Sequence, residues 1–322
     1  MPPAAAPVDG TPEPAAPAPV NPTPAGNEGG PDVSGLQPSE PPPNAEGSGG
    51  QPPDDGATPD PATPPVEPPP AEPPPAEPAA RTQVFLLFGQ SNMYGLPNPQ
   101  AADLEVNPRV EVLTLEACGR HAANQWMPAQ PPLHGCVGQP SGNVFGPGLG
   151  PGDYFARTIA AAFPEDTILL VPNAIPSVSI DVFQPGQQAY NSILARARMA
   201  QERGEISGII FHQGESDCGS PQSRASWPGR VKTVVDRLRS DLDIGEAPFV
   251  AGELLYLFGC SGDMNPVINS LPNVITNAAV ASANGNFGAV QGDNFNNLHF
   301  DLAAQREFGR RYGEAMIRLL QP

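Results

Sequence analysis

Three short polar stretches carry residue types that suit nucleophilic chemistry; two of them follow apolar runs and the third precedes a capped helix. The first is Gly89-Gln90-Ser91-Asn92-Met93, directly after the run Thr82–Phe88. A serine there would lie on the carboxyl edge of a buried strand. The next helix would aim its N-terminal amides at a developing oxyanion, although serine also serves simply as a helix cap. The second stretch is His212-Gln213-Gly214-Glu215-Ser216-Asp217, which follows Gly-Ile-Ile-Phe. The third is Asn296-Asn297-Leu298-His299-Phe300-Asp301. Of the four histidines, His121 and His134 fall in a long loop rich in Pro and Gly, while His212 and His299 occupy the ends of elements. A serine nucleophile needs a base within hydrogen-bond reach, and histidine is its usual supplier.

The intervening pattern explains how these pieces would meet. Thr82–Phe88, Thr167–Val171, Ile206–Phe211 and Phe249–Tyr256 are apolar runs of strand length, with a short fifth at Gly288–Val290; such runs suit strands buried on both faces. Helical periods lie between them. Asp153–Phe163 repeats Phe155, Ile159 and Phe163 on one face, with Asp153 placed to cap; Gln187–Arg203 repeats Tyr190, Leu194 and Met199. Trp227–Leu242 carries Pro228 in its first turn, and Asp301–Leu320 opens on a capping aspartate. Strands alternating with helices predict a three-layer α/β/α sandwich with a mostly parallel central sheet. Its site belongs beyond the carboxyl ends of the strands.

The length of 322 residues suggests two domains, but composition along the chain argues for one. Residues 1–80 hold 27 of the 46 prolines and 9 of the 34 glycines, with no Phe, Trp, Tyr, Lys or Arg. Such a segment cannot bury enough apolar surface to offset its ordering entropy, so it is expected to be a disordered, partly polyproline-II linker. It also holds 12 of the 34 acidic residues, which leaves 22 acidic and 16 basic side chains in residues 81–322, a net of −6. One lysine, Lys232, and scattered arginines make no basic stripe, which argues against nucleic acid. No apolar run approaches the ~18 residues of a membrane span. The opening Met-Pro-Pro-Ala reads as a mature chain whose export signal has been removed, so a secreted, cell-surface or periplasmic location is expected. The four cysteines form no Cys-x-x-Cys pair and allow three pairings; Cys118–Cys136 and Cys218–Cys260 are the expected ones, with four buried free thiols as the alternative.

In order along the chain, Phe-Leu-Leu-Phe-Gly-Gln-Ser-Asn-Met, Gly150-Pro151-Gly152-Asp153-Tyr154-Phe155-Ala156, His-Gln-Gly-Glu-Ser-Asp and Leu-His-Phe-Asp resemble the sequence blocks of the SGNH-hydrolase superfamily. Within it they resemble the sialate O-acetylesterase and acetylxylan esterase branch, carbohydrate esterase family six. The resemblance covers nearly all of 82–322 and includes the closing Arg-Glu-Phe-Gly-Arg-Arg-Tyr helix. It implies Ser91 as nucleophile and His299 as base. The N–H groups of Ser91 and Gly150 and the side-chain amide of Gln213 would be the oxyanion donors. Gln90, Asn92 and Glu215 would line the substrate site, with Glu215 bracing a loop rather than reacting. No metal or cofactor is implied. Trp126, inside the Cys118–Cys136 loop, is a candidate wall for a sugar ring, whereas Trp227 reads as core.

Two departures bear on activity. Pro176-Ser177 stands where relatives carry Gly-Gly, and Asn296 stands where they carry an aspartate three residues before the histidine. Either Asn296 accepts from His299 through its amide oxygen, or Asp293 or another group orients the ring, or the position is inactivated. The expected activity is removal of acetyl groups from an acetylated sugar or polysaccharide, acetylxylan or sialic-acid-like, by a monomer. The alternative is a weak or inactive carbohydrate- or cell-wall-binding protein on an esterase scaffold.

Overall fold

A computed structural model of the chain describes residues 79–322 apart from Arg120, Val144, Phe145, Asn294 and Pro322. The expected linker, residues 1–80, lies outside the described residues except for its last two positions.

Seven strands form one sheet in the order β3-β2-β4-β1-β5-β6-β7. They are β1 (Thr82–Gly89), β2 (Val110–Leu113), β3 (Trp126–Pro128), β4 (Thr167–Ala174), β5 (Glu205–His212), β6 (Phe249–Gly252) and β7 (Ala278–Ala281). All neighbours pair in parallel except the edge strand β3, which runs antiparallel to β2. Central β1 shows why the sheet is covered twice. Its side chains alternate between faces, so Val84, Leu86 and Phe88 join one apolar cluster while Phe85 and Leu87 join the other. The first cluster is closed by α3 (Gln188–Gln201), α4 (Pro221–Leu242) and α5 (Ser261–Ile268). The second is closed by α2 (Pro151–Ala162) and α6 (Leu302–Leu320). In α6 the residues Phe308, Tyr312 and Met316, four apart, are fully buried. Asp301 caps that helix by accepting the Ala304 N–H at 2.8 Å.

The expected α/β sandwich is thus present, with differences in detail. β2, β3 and β7 were not anticipated, because β2 and β3 are short and Ala-Ala-Val-Ala in β7 lacks the bulky residues that mark a strand. The run Phe249–Tyr256 leaves the sheet after Gly252. Gly288–Val290 is not a sheet strand; it makes a single bridge, Ala289 to Phe300. Asp153 does not begin α2. Gly150 occupies the cap position, and the Asp153 carboxylate reaches back to its N–H at 3.2 Å. Helix α4 starts at Pro221, capped by Ser220, so Pro228 lies inside the helix instead of in its first turn.

Both expected disulfides are formed, Cys118–Cys136 and Cys218–Cys260. The second ties the loop after β5 to the loop after β6, two of the loops that rise from the carboxyl edge of the sheet.

Candidate active site

Strand β1 ends at Gly89, and its register places that residue beside Ala174 of β4 and His212 of β5. Gly89 has φ 141°, and a Cβ there would lie 2.0 Å from the His212 carbonyl oxygen. Only glycine lets the two strands stay this close, so that the Gln90 N–H can donate to that carbonyl at 2.8 Å. The chain then turns directly into the single helical turn α1 (Ser91–Tyr94). Ser91 begins it, at the carboxyl edge of the sheet, and is 4% exposed.

His299 arrives from the far end of the sequence. The Gly288–Val290 segment that resembles a strand anchors it: the Val290 N–H donates to the His299 carbonyl at 2.9 Å, and the Asp301 N–H donates to Gly288 at 2.9 Å. The imidazole Nε2 lies 3.1 Å from the Ser91 hydroxyl oxygen. Behind the ring, Asp293 Oδ2 lies 3.3 Å from Nδ1 and also accepts the His299 backbone N–H at 2.8 Å. The other oxygen of Asp293 accepts the Phe295 N–H at 3.0 Å, and the carboxylate is wholly buried. With its proton on Nδ1, toward Asp293, the ring presents the Nε2 lone pair to the serine hydroxyl. Asn296 takes no part in this line. It is exposed, in a left-handed conformation (φ 61°), and its amide nitrogen lies beside Gly259.

The residues of the second polar stretch form a buried frame. Asn92 Nδ2 donates to Glu215 Oε1 at 2.7 Å and to the Leu298 carbonyl at 3.0 Å, while Asn92 Oδ1 accepts the Phe300 N–H at 3.1 Å. One side chain beside the serine therefore grips the backbone on both sides of His299. Glu215 Oε1 also meets His212 Nε2 at 3.1 Å, and His212 Nδ1 faces the Tyr312 hydroxyl at 3.2 Å. Burial alone would push the Glu215 carboxyl up; the adjacent His212 and the Asn92 hydrogen bond hold it below the usual carboxylate range. Burial keeps Tyr312 protonated, well above its ordinary value, and its hydroxyl donates to the Phe211 carbonyl at 2.8 Å.

Gln213 is equally committed. Its amide nitrogen lies 2.6 Å from Asp217 Oδ2 and 3.2 Å from both Gln90 Oε1 and the Val178 carbonyl. Its oxygen accepts the N–H of Trp227, a fully buried core residue, at 2.7 Å. Two N–H bonds facing three acceptors leave at most one for a ligand. The Gly150 N–H is occupied by Asp153. Among the described residues the Ser91 N–H has no protein acceptor, which makes it the open donor of the expected three.

Gln90, Asn92 and Glu215, expected to contact substrate, are buried and bonded to the frame. Trp126 sits on edge strand β3, three strands from β1, against the α3 side of the core with the Arg203 guanidinium 4.9 Å above its ring. It is not brought to the serine. Toward β4, a cavity of about 490 Å3 is lined by Asn173, Ile175, Val178, Val182, Gln188 and Ser192. The loop carrying Pro176-Ser177 forms part of its wall, with Ser177 at φ 60°.

A serine, an imidazole and a buried carboxylate thus lie in line at the carboxyl edge of a parallel sheet. Residues 81–318 match the family described as carbohydrate esterase, sialic acid-specific acetylesterase, and the chain belongs to that family. It is 28% identical over 183 residues to a probable carbohydrate esterase of Arabidopsis thaliana, across 52% of this chain and 67% of the relative. The solved structure of that plant protein superposes with a TM-score of 0.62 at 24% identity, covering 74% of this chain and 98% of the other. NanS superposes with a TM-score of 0.59 at 17% identity over 74% and 98% of the two chains. A carbohydrate acetylesterase from Xanthomonas citri gives 0.52 at 15% identity over 72% and 55%. These three likenesses establish the fold.

Proposed function

We propose that the protein is a serine-dependent carbohydrate O-acetylesterase that removes acetyl groups from a sugar or polysaccharide through an acetyl-enzyme. The observation that carries this reading is the line from Ser91 through His299 to Asp293, with contacts of 3.1 and 3.3 Å. His299 takes the Ser91 proton as the hydroxyl attacks the acetyl carbonyl, and Asp293 holds the ring and balances its positive charge. The Ser91 N–H donates to the oxyanion, a contribution of ~3 kcal/mol to the barrier. Nε2 then returns the proton to the departing sugar oxygen. Water, deprotonated by the same nitrogen, attacks the acetyl carbonyl; the bond to Ser91 Oγ breaks, Nε2 returns the proton to that oxygen, and acetate leaves.

The reading of a binding protein with a disabled site rests on Asn296. It loses weight because a buried carboxylate six residues before the histidine stands where an orienting group is needed. The two disulfides support work in an oxidising compartment, outside the cytoplasm. Among the described residues no helix is long and apolar enough to cross a membrane. Acetate release from acetylxylan, an acetylated sialic acid and p-nitrophenyl acetate tests the proposal. It stands if wild type turns over at least one sugar ester and Ser91→Ala does not. It fails if the two release acetate equally slowly.

A further inference from the structure

The loop that brings Asp293 to His299 also carries an unusual surface residue. Among the described residues Phe295, at 60%, is the most open of the exposed large hydrophobics, and its ring stands edge-on to His299 with centroids 5.8 Å apart. Its backbone is pinned by Asp293, so the placement of the ring follows from the same carboxylate that orients the histidine. The neighbouring loop after β6 exposes Tyr256 and Leu257, at 47% and 53%. The two loops touch where Asn296 meets Gly259, and the Tyr256 hydroxyl is held by Glu253 at 2.9 Å. The loops thus present partly exposed apolar side chains next to the imidazole.

The chemistry identifies a ligand for them. For Nε2 to return its proton, the leaving oxygen must come within hydrogen-bond reach of it. The sugar ring attached to that oxygen then has to rest beside the imidazole, on the His299 side of Ser91 and away from the cavity near β4. The C–H faces of a pyranose carry partial positive charge and are attracted to the negative face of an aromatic ring.

We propose that Phe295 is a wall of the subsite for the departing pyranose, with Tyr256 and Leu257 extending it. This rests on the acetylesterase reading and adds which side of the serine the sugar occupies and what holds it. The test compares wild type, Phe295→Ala and Phe295→Trp on an O-acetylated pyranoside and on ethyl acetate, whose leaving group has no ring. The expected result is that Phe295→Ala lowers kcat/KM for the pyranoside relative to ethyl acetate by roughly 3- to 10-fold, mainly through KM. Phe295→Trp restores the ratio, and the deacetylated pyranoside inhibits Phe295→Ala more weakly by a similar factor. An equal loss on both substrates would make Phe295 a support for His299 and overturn the proposal, as would an unchanged ratio. If wild type shows no Ser91-dependent release from either ester, the esterase reading falls and this inference falls with it. A changed ratio cannot arise in that case, so the two failures are distinguishable.

Discussion

One oxygen of Asp293 serves His299 twice, accepting its backbone N–H at 2.8 Å and lying 3.3 Å from its ring nitrogen Nδ1. The double contact reaches both the main chain and the ring of His299, and it comes from six residues upstream instead of three. Replacing Asp293 by Ala should therefore lower kcat by about 10³- to 10⁴-fold, the scale seen when a triad carboxylate is lost. Asn296→Ala should stay within about twofold of wild type, because that side chain is exposed with its amide beside Gly259. Steady-state kinetics on one acetyl ester decides the matter; the reverse ranking would return the role to Asn296.

Asn92 grips Leu298 and Phe300 on either side of the base, and Glu215 holds Asn92. Loosening this clamp should displace Nε2 from Ser91 without emptying the substrate site. Asn92→Ala is expected to reduce kcat by roughly 100-fold, the effect of about 1 Å of misplacement, with little change in KM. Glu215→Ala also removes the hydrogen-bond partner of the buried His212 Nε2 and should cost about 1–3 kcal/mol of stability, measured by denaturant unfolding. Glu215→Gln keeps an acceptor for Asn92 and should recover part of the activity lost in Glu215→Ala.

Asp153, inside the cap of α2, supplies a pH signature. Burial, opposed by the Gly150 hydrogen bond and by Arg157, pushes its carboxyl up from 3.8 to about 7. Between these values the folded state binds more protons than the unfolded one, so stability falls as pH rises. The contribution is fully present below the unfolded value of 3.8 and is lost as pH climbs through about 7. Asp153→Asn, which can still accept the Gly150 N–H, should remove that slope. Thermal midpoints between pH 4 and 8 provide the comparison, and parallel curves for the two proteins would contradict the assignment.

The Cys218–Cys260 bridge spans 42 positions and joins the Glu215 loop to the Tyr256 loop. Converting both cysteines to serine should lower unfolding free energy by about 3–4 kcal/mol through the freed loop. Equal midpoints with and without the bridge would show that it adds nothing to the folded state.

Much of this was readable from residue patterns for a physical reason. The buried strands β1, β4, β5 and β6 are dense apolar runs, and each polar stretch that follows one must emerge at the same edge of a parallel sheet. That placed Ser91 and His212 together from local information, and the capping Asp301 located His299. What could not be read depended on loop geometry. Asp293 and Asn296 are equally polar on paper, and only the left-handed turns at Asn296 and Asn297 send the chain back so that Asp293 faces the ring. The Gly150 N–H faces the Asp153 carboxylate at 3.2 Å, a pairing three residues apart that a reading of Asp153 as first cap does not show. The exposed Phe295 gave no periodic signal at all, since a lone aromatic in a polar loop is visible only through its surroundings.

In the proposed mechanism acetyl transfer passes through Ser91. Rapid quenching of wild type during turnover of an acetylated sugar, followed by peptide mass spectrometry, should find one acetyl group on the peptide that contains Ser91. No such adduct should form in Ser91→Ala, which should release no acetate above the uncatalysed rate. Acetate released at the wild-type rate by Ser91→Ala would contradict the account.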